Sequence, residues 1–548
     1  MKLLARIATA VIVLAAGAQF VSACTSILVT KGASKTGATM ISYSADSEYL
    51  YGELYFKPGA QHLPNETRDI VDWESGRFLG RIKEAPVTYG RIGNMNECQV
   101  AIGETTFGGR KELWGPAGSL DYGSLICIAL ERSPTAREAI RTMVDLVSEY
   151  GYASTGESFS IGDPNEAWIL DLIGRGKGQK GAVWVAVKLP DGTLSAHANH
   201  SRISRFPLHD SSTCMYAPDV ISFARSNGWF KGEDKDFSFT AAYAPGNFEF
   251  LRFCEARVWS VFRRASPSLG LSSAIALGKA GAEPLPLWVK PDHKLGVHEV
   301  MELMRDHYEG TELDPTQDVA AGPHHNPYRP RPLVWRVDGK AYINERTISS
   351  PTTGWSSVSE SRADLPNPIG GVLWFGVGDT YSTVYIPIYC ANQAIPHSFA
   401  EGTGSMHEFT WDSAFWTFSF VGNYAYSRYD DMIRDIQRVQ RELEGGFLTQ
   451  QEGVEAQAVA LYRHSPLEAR EFLTNYSCRQ GEMVTNRWKK LGEFLIWKYL
   501  DGFVRDSRGR VGSHSYSEDW LRRIVQDKGD AILVPDEVKA TGLAPGNP

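Results

Sequence analysis

The chain has 548 residues, with 56 Lys and Arg against 64 Asp and Glu and a formal charge of −8 at pH 7. Nucleic-acid binders draw most of their affinity from phosphate neutralisation, and neither a basic balance nor a clustered basic stripe exists here to supply it. With 43% hydrophobic residues, 15 Trp, 23 Tyr and 24 Phe, the core is ample and disulfide staples are not required. The seven cysteines include no CxxC pair, and one would be left over if six paired in any of ~15 ways.

Lys2 and Arg6 precede a run from Ile7 to Val21 that is apolar or small apart from Thr9 and Gln19, the layout of a secretory signal and too short for a membrane span. Cleavage after Ala23 leaves Cys24 as the first residue and implies export, periplasmic or extracellular. "TSILVT" then reads as a strand, "KGASKTG" as a turn and "ATMISYSADS" as a second strand, a hairpin. A turn centred on Lys35 sets Asp46 opposite Cys24; one centred on Ser34 sets Ser44 there. Either way a carboxylate comes near the first mature residue, since opposed Cβ atoms lie ~5 Å apart.

"QVAIGETTF" (99–107) reads as a strand after the turn "GNMNE". "SPTAREAIRTMVDLVSEYG" reads as a helix with Ser133 as cap, Pro134 at its first position and Gly151 as its stop. Strands return in "FSIGD", "EAWILDLIG" and "GAVWVAVKLPDGTLSAHAN", the last with an Asp191-Gly192 turn between two β-rich runs. Residues 310–368 read as long loops, "GVLWFGVG" and "STVYIPIYC" as a final strand pair. Past Ser413 the apolar positions Tyr429, Met432, Ile433, Ile436 and Val439 recur at helical spacing up to Gly445-Gly446, and "NRWKKLGEFLIWKYLDGF" reads as a further helix. The expected class is α+β, organised as a signal peptide (1–23), a core with loop insertions (24–412) and a helical region packed on it (413–548).

Metal and serine chemistry find little support. "HEVME" at 298–302 has Glu302 where the second ligand of H-E-x-x-H must stand, and His197, His200, His324 and His325 have no partner ligand at metal spacing. There is no G-x-S-x-G elbow, and "GRGKGQKG" lacks the G-K-[ST] end of a phosphate loop.

Cys24 carries the argument. As a lipoprotein anchor it fits Val21-Ser22-Ala23-Cys24, but a lipid-anchored domain needs a tether and here a strand starts at the next residue. As a free N-terminus it joins a thiol to an α-amine of pKa ~8 that can take the thiol proton, so no histidine base is required. Asp46 is placed to orient the amine, with surface duty in a turn as its equal rival. Asn96, in a turn before a strand, and Asn199, at the end of another, are oxyanion donors by type and position, with turn or capping duty the more ordinary reading.

"CTSILVTKGASKTGATMISYSADS", "NECQVAIGETTF", "LERSPTAREAI", "DPNEAWILDLIG", "PDGTLSAHANHSRI", "RDHYEGTELD" and "WTFSFVGNYAYSRY" together resemble the dipeptidase family related to dipeptidase A. That family stands among the N-terminal-nucleophile (Ntn) hydrolases, with penicillin V acylase and bile salt hydrolase. The resemblance implies a four-layer αββα Ntn sandwich with a helical C-terminal extension, Cys24 as nucleophile, Asp46 as the carboxylate near its amine, and Asn96 as an oxyanion donor. It implies Asn199 as a second active-site asparagine and Arg257, in "CEARVW", as the arginine near the nucleophile. Tyr43 stands where many relatives have an arginine, and so becomes a substrate-side residue. The function implied is an exported cysteine peptidase acting on dipeptides or short peptides with no metal or organic cofactor. An N-acyl amide hydrolase with the same machinery and a lipid-anchored, non-enzymatic surface protein are the alternatives, and self-association is left open.

Overall fold

The computed structural model describes residues 24–73, 75–328, 333–512 and 515–536; the expected signal, residues 1–23, lies outside them. The strands that matter are β1 (Thr25–Val29), β2 (Thr39–Asp46), β3 (Ala101–Phe107), β4 (Gly156–Gly162), β5 (Ala167–Gly174), β6 (Ala182–Lys188), β7 (Leu194–His197), β8 (Thr353–Ser361), β9 (Gly371–Val377) and β10 (Ile386–Tyr389). The helices that matter are α1 (Tyr122–Arg132), α2 (Ala136–Tyr150), α3 (Ala256–Ala265), α4 (Val297–Met304), α5 (Ala414–Ala425), α6 (Tyr429–His464) and α7 (Pro466–Lys498). Helices and strands are thus mixed, as the α+β expectation required.

Two sheets dominate. One runs Trp288–Val289, β7, β1, β2, β8, β9, β10, and the other runs Cys214–Tyr216, β6, β5, β4, β3, then Met95–Asn96, Arg91–Ile92 and Phe56–Lys57. β1 has β7 on one side and β2 on the other, so every residue of it is buried and its N-terminal end is held by two neighbours.

The sheets meet at β1 and β2 against β3 and β4, and the seam is polar. Ser26 Oγ donates to Ser42 O at 2.7 Å and lies 2.7 Å from Ser160 Oγ, while His197 bridges Ser160 (2.6 Å) and Thr105 (2.7 Å). A Cβ at Gly103 would sit 3.1 Å from both Ser26 Oγ and Tyr43 Cβ, so the missing side chain is what permits this approach. On the far face of β3 to β5, Ile102, Phe159, Ile161, Trp168 and Leu170 pack with Leu125, Ile128, Ile140 and Met143 of α1 and α2. Each such buried aliphatic contributes roughly 1.5–3 kcal/mol.

The C-terminal helices lie against β8 to β10 and are held there by charge as well as apolar area. Arg362 donates to both oxygens of Glu455 (2.8 and 2.6 Å), and Arg305 donates to Glu444 at 2.6 Å. All four residues are buried.

Several expectations change. The hairpin register pairs Thr25 with Ser44; continuing it by one residue sets Ala45 opposite Cys24, with Ser44 and Asp46 flanking. The cap of α2 is Thr135, whose hydroxyl accepts from Glu138 N at 3.3 Å, and not Ser133. β6 and β7 are not a hairpin: the chain passes at Asp191-Gly192 from one sheet to the other, where Asp191 Oδ1 accepts from Gly32 N at 2.6 Å. β8 falls in the 310–368 stretch that reads as long loops for its Pro, Gly, His and Asn, yet it is a central strand with every residue buried, its hydroxyls satisfied by neighbours such as Ile41, Tyr385 and Gln99. α6 continues through Gly445-Gly446 to His464, because tertiary packing outweighs the roughly 1 kcal/mol that each glycine costs a helix.

Candidate active site

Cys24 immediately precedes β1 and is 4% exposed. It forms part of the wall of a cavity of about 420 Å³, shared with Tyr43, Asp46, Asn94, Tyr122 and Trp355. The hairpin therefore delivers three of the residues expected at the site to one place: Cys24 from one strand and Tyr43 and Asp46 from its partner.

Asp46 ends β2 opposite the irregular start of β8, where the register slips between Thr353 and Trp355. Bulges of this kind re-aim side chains beside active sites, and here Thr353 Oγ1 donates to Asp46 Oδ1 at 2.6 Å. Oδ2 accepts from Arg346 Nη2 and Ser44 Oγ, each at 3.4 Å. Burial raises the Asp46 carboxyl, and the Arg346 guanidinium and the Thr353 hydroxyl pull against it.

Tyr43 faces the site. Its hydroxyl lies 4.0 Å from Cys24 Sγ and donates to the buried carboxylate of Glu104 on β3. Its ring meets Trp355 edge-on at 4.9 Å. Burial pushes both the Cys24 thiol and the Tyr43 phenol well up; for the thiol, the charges of Glu104 and Asp46 add to the effect and a backbone hydrogen bond from Asp46 opposes it. The thiolate is thus disfavoured unless a base or a cation comes next to it.

Arg257 fixes the backbone of Cys24. It sits in the first turn of α3, directly after a π-helical turn, Leu251–Glu255, a distortion common at functional sites. Fully buried, it donates to Cys24 O (2.7 Å), Thr25 Oγ1 (2.9 Å), Ala198 O (3.3 Å) and Asn199 Oδ1 (2.9 Å). Asn199 holds a left-handed φ of 58°, and its amide donates to Thr106 O at 2.8 Å. Asn199 is therefore joined to Cys24 through Arg257 and is not part of the cavity wall.

Asn96 does not reach the site. Its amide donates to Leu130 O (2.7 Å) and Ser133 O (2.8 Å), and its Oδ1 accepts from Cys98 N (3.0 Å) and Val100 N (2.9 Å). Those four bonds exhaust the carboxamide, so it serves the turn and the end of α1 and not an oxyanion. Asn94, two residues earlier, lines the cavity and donates one amide hydrogen to Ile102 O at 2.6 Å.

Sequence reasoning missed Glu104, Arg346 and Thr353. Glu104 had a signal, a lone carboxylate inside the apolar strand "AIGETTF". Arg346 and Thr353 had none, since only the tertiary fold brings them to Asp46. Among the described residues no three His, Cys, Asp or Glu side chains are grouped as metal ligands, and no helix is long and apolar enough to cross a membrane.

Residues 23–442 match the model of peptidase family C69. Curated relatives include a probable dipeptidase of Salmonella dublin, 26% identical over 67% of this chain and 81% of its own length. A probable dipeptidase of Latilactobacillus sakei is 24% identical over 74% and 82% of the two chains. A probable dipeptidase A of Streptococcus pyogenes serotype M3 is 22% identical over 84% and 95%.

Proposed function

Because the chain belongs to peptidase family C69, we propose that this peptidase is an exported dipeptidase with Cys24 as its N-terminal nucleophile, freed by signal removal after Ala23. The observation that carries the reading is the position of Cys24: it lines the cavity, its sulfur is 4.0 Å from the hydroxyl of Tyr43, and its carbonyl is clamped by Arg257 at 2.7 Å. The paired sheets, with α1 and α2 on one and the C-terminal helices on the other, support the four-layer αββα Ntn arrangement as the frame.

The thiol is buried among carboxylates, so its proton needs a nearby acceptor, and the α-amine of the same residue is one. The thiol proton passes to that amine and the sulfur attacks the peptide carbonyl. The oxyanion is met by the Asp46 backbone N–H and by the amide hydrogen of Asn94 not spent on Ile102. Each such donor is worth ~3 kcal/mol. The C–N bond breaks as the ammonium returns its proton to the leaving amine. Water then attacks the thioester with the amine as base, releasing the acid and restoring the thiol. Asp46 orients the amine, while Arg257 and Asn199 position the Cys24 backbone.

The test is hydrolysis of unblocked dipeptides against N-acylated amino acids by the mature chain and by Cys24→Ser. Turnover of dipeptides that is lost in the variant supports the reading. Turnover only of N-acyl substrates would make the protein an acylase with the same machinery. A diacylglyceryl adduct on Cys24 would contradict the mechanism, and the burial of that residue speaks against such a group.

A further inference from the structure

We propose that the cavity recognises its peptide by the free N-terminal ammonium and not by the C-terminal carboxylate, with Asp72 as the recognising group. The proposal rests on the dipeptidase reading and adds what that reading lacks, the part of the substrate that is read. Among the described residues on the cavity wall there is no Lys, Arg or His; the charged ones are Asp46 and Asp72. The guanidiniums beside Cys24 and Asp46 are already engaged, Arg257 with Cys24 O and Asn199, Arg346 with Asp46 and Ser350, and those near Cys127, Arg91 and Arg68, are paired with Glu131.

Asp72 is held over the cavity by its hairpin, Thr67–Val71 with Phe78–Lys83. Its Oδ1 accepts from Ser75 N (2.8 Å) and Ser75 Oγ (2.6 Å), while its Oδ2 accepts nothing among the described residues. The neighbouring Trp73 fixes this tip to the start of α1. Its N–H donates to Asp121 Oδ2 at 2.7 Å, Asp121 also caps α1 through Ser124 N, and a Cβ at Gly123 would sit 2.7 Å from the indole. Tyr55 meets the same ring at 4.8 Å.

Much of the rest of the wall is aromatic, Tyr49, Tyr51, Tyr55, Trp73, Tyr122 and Trp355 among it. Aromatic faces are negative and attract ammonium groups. A peptide ammonium that leaves water beside Asp72 finds a carboxylate and π-faces, whereas a peptide carboxylate there would meet a like charge, with no Lys, Arg or His among the described residues of the wall to offset its burial. The C-terminal carboxylate is therefore directed away from the wall, and neutralising it changes little.

The experiment compares Leu-Leu, Leu-Leu amide and N-acetyl-Leu-Leu as substrates of the mature chain and of Asp72→Asn. We expect kcat/KM for Leu-Leu and its amide to agree within about threefold, N-acetyl-Leu-Leu to be at least about 100-fold poorer, and Asp72→Asn to raise KM for the first two about tenfold with kcat nearly unchanged. An amide 30-fold or more below the free acid, on the order of a lost charged contact, would overturn the proposal. So would an acetylated substrate that is cleaved as well as Leu-Leu, or a KM that Asp72→Asn leaves in place. The substrate comparison in the unaltered chain decides even where the variant folds poorly. A mature chain that cleaves none of the three, or a Cys24→Ser variant that cleaves all of them, contradicts the dipeptidase reading itself and removes this proposal with it.

Discussion

Charge is buried in two parts of this molecule, and the two parts treat it in opposite ways. Where α6 meets the sheet, two buried carboxylates each face a guanidinium, Glu455 with Arg362 and Glu444 with Arg305, and each arginine is pushed up by its partner against the cost of burial. Around Cys24 the titratable side chains on the cavity wall are all acids, and the two neighbouring guanidiniums are spent on Cys24 O, Asn199 and Asp46. The thiol, the Tyr43 phenol and the Asp46 carboxyl are each raised, with burial the first cause, and Glu104 adds to the rise of the first two. The first arrangement is complete in itself and serves docking. On the proposed mechanism the second is completed by a cation that arrives, the α-amine of Cys24 once freed and then the ammonium of a substrate.

Changes that break this contrast should therefore act on different observables. Cys24→Ser should reduce dipeptide turnover by about 10⁴-fold, the scale on which nucleophile loss acts in other covalent hydrolases, with the thermal unfolding midpoint preserved. An equal loss of stability would make Cys24 a structural residue. At the seam, Glu455→Ala leaves Arg362 buried without its partner, which typically costs about 3–5 kcal/mol. Urea unfolding should report that loss while kcat/KM of the folded fraction stays within about threefold; a large loss of activity at unchanged stability would tie α6 to the chemistry.

The pH dependence separates the parts further. At the site the α-amine must be neutral to accept the thiol proton, so kcat/KM should rise with pH through ~8, the ordinary value of an α-amine. Away from it, His197 between the sheets and His200 beside Phe250 are both lowered by burial to about 3. Their folded pKa lies below the unfolded one, so the stability they contribute is present above about 6.5 and is lost as pH falls from there towards 3. Each contributes a slope of roughly 1.4 kcal/mol per pH unit. Unfolding midpoints that stay flat over that window would contradict buried neutral histidines.

The smallest effect is expected from Tyr43→Phe, which removes the hydroxyl between Cys24 and Glu104 and keeps the ring on Trp355. A loss of about tenfold in kcat, with a shifted acid limb and little change in KM, would mark Tyr43 as a residue acting on the thiol. Unchanged kcat would limit it to packing.

The hairpin was legible because β-branched runs flank a turn, and with it the approach of Asp46 to Cys24, whereas Tyr43 entered only through the resemblance. The helix α2 and the pair β9 and β10 were legible for the same local reasons. β8 was not, since a strand whose polar residues bond between neighbouring strands looks like a loop in one dimension. α1 was passed over because its buried face is nearly continuous and shows little amphipathic period. The site followed the same division. Residues that share the hairpin with Cys24 could be named, while Arg346 and Thr353 reach Asp46 across about 300 residues of chain. Asn96 shows the limit from the other side: the turn was located correctly, but an asparagine in a turn spends its amide on that turn.

The central claim is that the Cys24 thiol and its own free amine form the reactive unit, and mass analysis of the trapped enzyme tests it most directly. The mature chain would be treated with a chloromethyl ketone built on an unblocked amino acid, and its N-terminal peptide then mapped. The account predicts a chain that begins at Cys24 with a free α-amine and carries one inhibitor equivalent on the Cys24 sulfur. An acylated amine or lipidated sulfur, a chain that begins elsewhere, or an adduct on another cysteine would contradict it.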